Sequence, residues 1–427
     1  MPETKYTVAI VVLLILVIAL GAALGYVVST KPGVVTTTVT ETVTETKTVT
    51  TTVTGPAPTT SPSPTTTTPS PTITTTTPPP SELTFVVIGK SVHPYWSIVE
   101  AGVKKAAEEL GVNGIFWVPQ KEDVQAQLRT MDTYIAQGVA GIAIAPSDPD
   151  AATPYINKAL EKGIPVITID TDAPQSNRLA YLGTGNWKAG YLAGLTMWYY
   201  LKEKGYAKPG ATLKIAILTG SLTARNSLER IDGFKKAITD CAEKDPDIQG
   251  NIEIQFLGPY NDKEDPVQAF NLAMSVIQAN PDLHGAFGVY AYDGPAWAKA
   301  LKQAGIEPGK VVLIEFDVTP DNIPPIIEGY AQATIGQRQY FMGYYGVKLL
   351  YNMTVMGWEE ALKQFIPNYP ENKIYDTGVD IVGLEHVEFT APTGDKVVIM
   401  SLKEYKDLAV ELGIDPELLF GEYLEKI

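Results

Sequence analysis

LTFVVIGKSVHPYWSIVEAGVKKAAEEL, residues 83–110, holds the reading that decides the fold. Its first residues are almost all apolar and rich in Val and Ile, the composition of a strand buried on both faces. The period then changes. Ile98, Gly102, Val103 and Ala106 recur every three to four positions with Lys and Glu opposite, and Gly111 follows, so the spacing predicts a helix over 95–110. A buried strand feeding an amphipathic helix is half of a parallel βαβ unit. The turn between them, GKSVHPYW at 89–96, lacks the glycine-rich backbone that cradles a phosphate. It offers a lysine, a histidine and two aromatic rings instead.

Outward from that unit the same rhythm repeats. Apolar runs at 114–118, 141–145, 165–170, 213–220, 252–258, 285–290, 310–317 and 331–337 alternate with helical patterns at 123–137, 149–162, 186–204, 227–244, 266–278, 294–303 and 339–356. The alternation predicts α/β architecture, and so many strands fit two Rossmann-like doubly wound parallel-sheet lobes better than one wide sheet.

The amino-terminal region is of another kind. Residues 8–28 carry no charge and are long enough to span a bilayer, so 1–30 reads as a transmembrane anchor or signal, with the uncleaved anchor preferred. Residues 31–82 are largely Thr, Pro and Ser, with too little apolar volume for a core, and read as a stalk. The order places a folded domain at the cell surface, held off the membrane. The net charge of −15 argues against nucleic acid as a partner. One cysteine, Cys241, and three scattered histidines exclude an internal disulfide and offer no metal-ligand spacing, so no cofactor is expected.

In doubly wound sheets ligands bind beyond the carboxyl ends of the strands. Those ends carry Lys90, His93, Tyr95 and Trp96; Asp170 and Asp172; Arg225, Asn226 and Arg230; Tyr292 and Asp293; Asp317; and Gln337. Carboxylates accept from hydroxyls, Arg, Asn and Gln donate to them, and aromatic faces cover C–H surfaces. That mixture suits a neutral polyhydroxylated molecule. Each residue also has a plainer reading: the rings as core, the aspartates as helix caps, and Arg230, two residues before Asp232, as a solvated helix charge.

The ordered series GKSVHPYW (89–96), IAPSD (144–148), PVITID (165–170), RNSLERIDGF (225–234), AYDGPA (291–296), FDVTPD (316–321) and TIGQRQYFMGY (334–344) resembles the type I periplasmic sugar-binding proteins. These are the ribose- and galactose-binding relatives, which also resemble the ligand domains of LacI-type repressors. The resemblance implies two lobes joined by a three-crossover hinge, with passages near Gly185, Gln337 and Pro367. One lobe comprises 83–185 plus 338–366 and the other 186–337 plus 367–427. It also implies a sugar sandwiched by Tyr95 and Trp96 and hydrogen-bonded by Asp170, Asp317 and Gln337, and, less directly, by Arg225 and Asn226. The sequence departs from the family pattern at Ala145-Pro146, at Asp170-Thr171, and at His93, which takes a usual asparagine position.

The expected function is the carbohydrate-binding subunit of an ABC importer, a monomer that closes on a mono- or small oligosaccharide and hands it to permease subunits. A nucleoside-binding component is the alternative within that class. A surface glycosidase using an Asp170/Asp317 pair and a sensor domain are the alternatives outside it. The tail from Val387 suggests a hairpin turn at 392–395 followed by helices and has no assigned role.

Overall fold

The computed structural model describes residues 79–427, so the apolar run and the stalk up to residue 78 lie outside the described residues. Among the described residues no helix is long and apolar enough to cross a membrane. The strands are β1 (Thr84–Ile88), β2 (Asn113–Trp117), β3 (Gly141–Ile144), β4 (Val166–Ile169), β5 (Tyr181–Gly183), β6 (Thr212–Thr219), β7 (Glu253–Asn261), β8 (Gly285–Gly288), β9 (Val312–Phe316), β10 (Ala331–Gly336), β11 (Ile374–Asp376), β12 (Asp380–Gly383), β13 (Val387–Thr390) and β14 (Lys396–Ser401). They form two sheets, ordered β11-β5-β4-β3-β1-β2 and β13-β14-β12-β10-β9-β8-β6-β7. The first is parallel throughout. The second is parallel from β7 to β10, and β12 joins it antiparallel.

The helices are α1 (Pro94–Leu110), α2 (Val124–Gln137), α3 (Pro149–Glu161), α4 (Asn186–Glu203), α5 (Arg225–Lys244), α6 (Pro266–Ala279), α7 (Asp293–Gln303), α8 (Ile323–Ile327), α9 (Gln339–Met356), α10 (Trp358–Phe365), α11 (Leu402–Glu411) and α12 (Pro416–Phe420). Several start on side-chain caps: His93 for α1, Asp123 for α2, Asp148 for α3 and Asp265 for α6 each accept from a first-turn backbone N–H. Gly111 ends α1 in the left-handed conformation that a side chain would resist.

The chain passes between the sheets after β5, after β10 and after β11. The last passage differs from the expected position near Pro367. Ile374–Asp376 adds an edge strand beside Tyr181–Gly183, and only then, at 377–379, does the chain leave for β12. This edge strand is half exposed and has no apolar run to betray it; backbone pairing alone makes it a strand. β5 is buried but, at three residues, is too short to stand out as an apolar run, and the tail adds the β13–β14 hairpin across the expected turn.

One helix pair in each lobe meets at a glycine crossing. A Cβ on Gly102 of α1 would fall 2.1 Å from the Tyr340 carbonyl oxygen, and one on Gly343 of α9 would fall 2.1 Å from that of Val99. The backbones therefore touch without intervening side chains, which seats α1 and its amino-terminal turn firmly on the first lobe. Gly343→Ala is expected to force the helices apart and lower unfolding free energy by about 1–3 kcal/mol. Urea unfolding of the purified chain measures this, and an unchanged midpoint would show that the contact does not constrain the lobe.

Candidate ligand-binding cleft

Loops at the carboxyl ends of both sheets converge on a cavity of about 510 Å³. Of the residues chosen from sequence, Lys90, His93, Tyr95, Trp96, Asp170, Asn226, Asp317 and Gln337 line it. The turn 89–96 is held at the cleft by a residue the sequence reading passed over. Gln127 of α2, 1% exposed, donates to the carbonyls of Gly89 and Ala145 at 2.9 and 2.8 Å and accepts from the Ser147 N–H at 3.0 Å. It ties the loops after β1 and β3 into one piece. Trp96 lies so close above Gly89 that a Cβ there would meet its ring at 2.7 Å.

Asp170 ends β4 with φ 57°, a left-handed conformation costing on the order of 1–3 kcal/mol in a non-glycine residue. Its backbone carbonyl accepts from the Tyr181 hydroxyl at 2.8 Å. Its carboxylate accepts from Tyr95 Oη at 2.8 Å and Thr171 Oγ1 at 2.9 Å, with Lys90 Nζ 3.4 Å away. Burial opposes its ionisation, but Lys90, Arg230 and these hydroxyls outweigh burial and hold the pKa below the ordinary value. Lys90 is itself buried; the acids around it, Asp170 first, overcome that burial and raise its pKa.

Asp317 repeats the arrangement from the other lobe, with φ 73° at the end of β9 and its carbonyl accepting from the Thr334 hydroxyl. Gln337 Nε2 donates to its carboxylate at 2.6 Å. Here burial prevails over Arg230 and Gln337, and the pKa rises to about 7. The two aspartates therefore differ in charge near neutrality.

Between them lies Arg230, 1% exposed, which sequence reading left undecided between surface charge and site. Its guanidinium donates to Asn186 Oδ1 at 2.9 Å, the Val289 carbonyl at 3.0 Å and Gln337 Oε1 at 2.5 Å, and lies 4.0 Å over the Phe316 ring. Gln337 Oε1 also accepts from Thr184 Oγ1 at 2.8 Å. Gln337 thus joins residues of two inter-lobe passages to Asp317. A buried partner among neutral acceptors is what separates Arg230 from a solvated helix charge, and sequence spacing carries no sign of it.

Three expected residues lie elsewhere. Asp172 forms a two-pronged pair with Arg178 at 2.7 and 2.6 Å and accepts from Thr168 and the Ala173 N–H, closing the loop after β4. Arg225 is exposed and pairs with Glu229. Asp293 is fully buried, and its carboxylate caps the Val289 and Tyr290 N–H groups behind the cleft wall. In each case a nearer partner claims the side chain. Tyr290, Glu122 and Glu264, not chosen from sequence, line the cavity. Tyr290 Oη donates to Asn226 Oδ1 at 3.2 Å. His93 Nδ1 accepts from the Tyr95 N–H at 3.2 Å, and burial, opposed by Asp321, lowers its pKa, so its imidazole is neutral at pH 7.

Rings, two carboxyl groups of different charge and two buried cations thus face one space from two lobes. Among the described residues no cluster of His, Cys, Asp and Glu could hold a metal ion.

Known proteins resemble this chain in sequence and in fold. The ribose import binding protein of Escherichia coli is 25% identical over 263 residues, covering 62% of this chain and 81% of that protein. The xylose/arabinose-binding protein of Sulfolobus acidocaldarius is 24% identical over 278 residues, covering 61% and 63%. Among solved structures, an ABC transporter solute-binding protein from Burkholderia graminis in complex with D-arabinose aligns with a TM-score of 0.61 and 30% identity, over 71% of this chain and 96% of that one. A glucose-galactose binding protein from Geobacillus stearothermophilus aligns at 0.58 and 31%, over 70% and 96%. The profile of the periplasmic binding protein domain matches residues 84–357, more than half of the chain and strands β1 to β10 of the two sheets, so the chain belongs to this family of transporter substrate-binding proteins, not to the enzymes.

Proposed function

We propose that this chain is the extracellular sugar-capturing subunit of an ABC importer, closing its lobes on a mono- or small oligosaccharide and delivering it to permease subunits. The observation that carries the reading is the pairing of Asp170 and Asp317, one from each lobe, with aromatic rings and Arg230 around one cavity. Each lobe alone offers half the partners a sugar needs. Closure brings them together and shuts out water, which strengthens every hydrogen bond to the ligand. The proposed ligand contacts are Lys90, His93, Tyr95, Trp96, Asp170, Asn226, Arg230, Asp317 and Gln337. The relatives' names, for ribose, xylose, arabinose, glucose and galactose, support a sugar as the class. We also propose that residues 8–28 anchor a monomer at the cell surface and that the Thr/Pro/Ser segment is its stalk.

Thermal melts of the purified chain with pentoses, hexoses, disaccharides and nucleosides test the reading. A cognate sugar at about a hundredfold over its Kd adds about 2.7 kcal/mol of stability. No shift with any sugar would overturn it, and a shift with nucleosides alone would replace the ligand class.

Asp170→Asn leaves Lys90 buried without its nearest carboxylate and is expected to lower stability by about 3–5 kcal/mol, with Lys90→Met recovering much of the loss in the double variant. Denaturant unfolding of the four proteins measures the coupling; additive losses would show the pair to be independent.

Asp317 generates a pH dependence of opposite sign to that of an ordinary paired carboxylate. Its folded pKa of about 7 lies above the unfolded value, so between them the folded chain keeps a proton that the unfolded chain has released. Its contribution to stability therefore falls as pH rises from about 4 to about 7. Asp317→Asn should flatten that part of the stability-against-pH curve relative to wild type; identical slopes would place the Asp317 pKa in the ordinary range.

A further inference from the structure

The segment 402–427 lies beyond the family match and lines no part of the cleft. Its packing draws on both lobes. α11 rests on β12 and β14, and Tyr405 comes within 3.2 Å of where a Cβ on Gly336 would sit, just before the second inter-lobe passage. α12 follows, and Gly421 sits against Pro320 of the second lobe. Yet α12 also packs on α1, the first-lobe helix whose opening turn carries Tyr95 and Trp96.

The faces of α1 divide accordingly. Val99 and Val103 belong to the first lobe's own core. Ile98, 1% exposed, is buried instead in the second lobe's apolar cluster together with Phe420, Tyr405 and Leu419 of the tail and Tyr340 and Phe341 from the start of α9.

We propose that residues 402–427 form an inter-lobe clasp, fixed to the second lobe and seated on α1, that positions the ring-bearing turn and limits how far the ligand-free cleft opens. The proposal rests on the reading that the cleft works by lobe closure. Opening that separates α1 from α12 exposes Ile98 and Phe420, so wide openings are disfavoured by loss of apolar burial. A narrower ligand-free ensemble holds more of the binding-competent state, and apparent affinity rises in proportion to that fraction.

The test uses the full chain with spin labels at Lys162→Cys and Lys208→Cys, exposed positions in the first and second lobes, while the native Cys241 is buried and protected. Inter-lobe distances are measured without ligand in this background, in Ile98→Ser, and in a chain ending at Gly413. The clasp predicts a narrow distribution in the parent, longer and broader ones in both variants, and a Kd for the cognate sugar raised by about 3- to 10-fold. Distributions that match the parent in both variants overturn it. Should Ile98→Ser fail to melt cooperatively, the shortened chain alone decides. Because the distances are read without sugar, a broadened ensemble supports the clasp whether or not any sugar binds, whereas absence of sugar binding overturns only the functional reading.

Discussion

The cleft is organised around one buried cation. Arg230 is almost wholly removed from water, and among the described residues no carboxylate makes a salt bridge with it. An isolated charge in such a place costs several kcal/mol unless dipoles replace its hydration. Here the replacements are Asn186 beside the first inter-lobe passage, Gln337 at the second, and the Val289 carbonyl at a strand end. The groups that solvate the guanidinium are therefore the groups where the lobes join, and moving one lobe disturbs the solvation of the charge. Gln337 extends the constraint, since the side chain that accepts from Arg230 donates to Asp317. The inter-lobe passages and the proposed binding surface share atoms.

Against that background the unequal charge of the two aspartates makes sense. Asp170 has a lysine, an arginine and two hydroxyls to sustain its negative charge. Asp317 has one shared amide and a more distant guanidinium, and burial raises its pKa. A ligand hydroxyl can donate to the first, whereas the second, when protonated, can itself donate. Two residues of one type thus present complementary hydrogen-bonding faces to the cavity between them.

Much of this was legible in the sequence because buried parallel strands leave unbroken apolar runs and their helices leave a clear period. All nine strands expected from such runs exist, although boundaries moved by up to three residues. What escaped were strands too short to leave a run: β5 and β11 have three residues each, β5 buried and β11 largely exposed at an edge, so the third passage falls later than expected. The site divides along the same line. Tyr95, Trp96, Asp170, Asp317 and Gln337 stand next to strand ends, and adjacency in sequence became adjacency in space. Asp172, Arg225 and Asp293 stand there too, but Arg178, Glu229 and two backbone N–H groups lie nearer than the cleft. Arg230 and Gln127 act from within helices, where a polar residue on the buried face looks the same in sequence as one on the wet face.

The left-handed aspartates have a consequence for binding. Their strained backbones are clamped by Tyr181 and Thr334, groups inside their own lobes, so the unfavourable conformation is adopted when the chain folds and not when ligand arrives. Neither carboxyl then needs to be reordered to meet a ligand, so that ordering cost is met on folding rather than on binding. On the proposed function, selectivity among sugars would fall to rigid acceptors that tolerate little displacement of a hydroxyl and speed of capture to the hinge, so the two properties could vary independently.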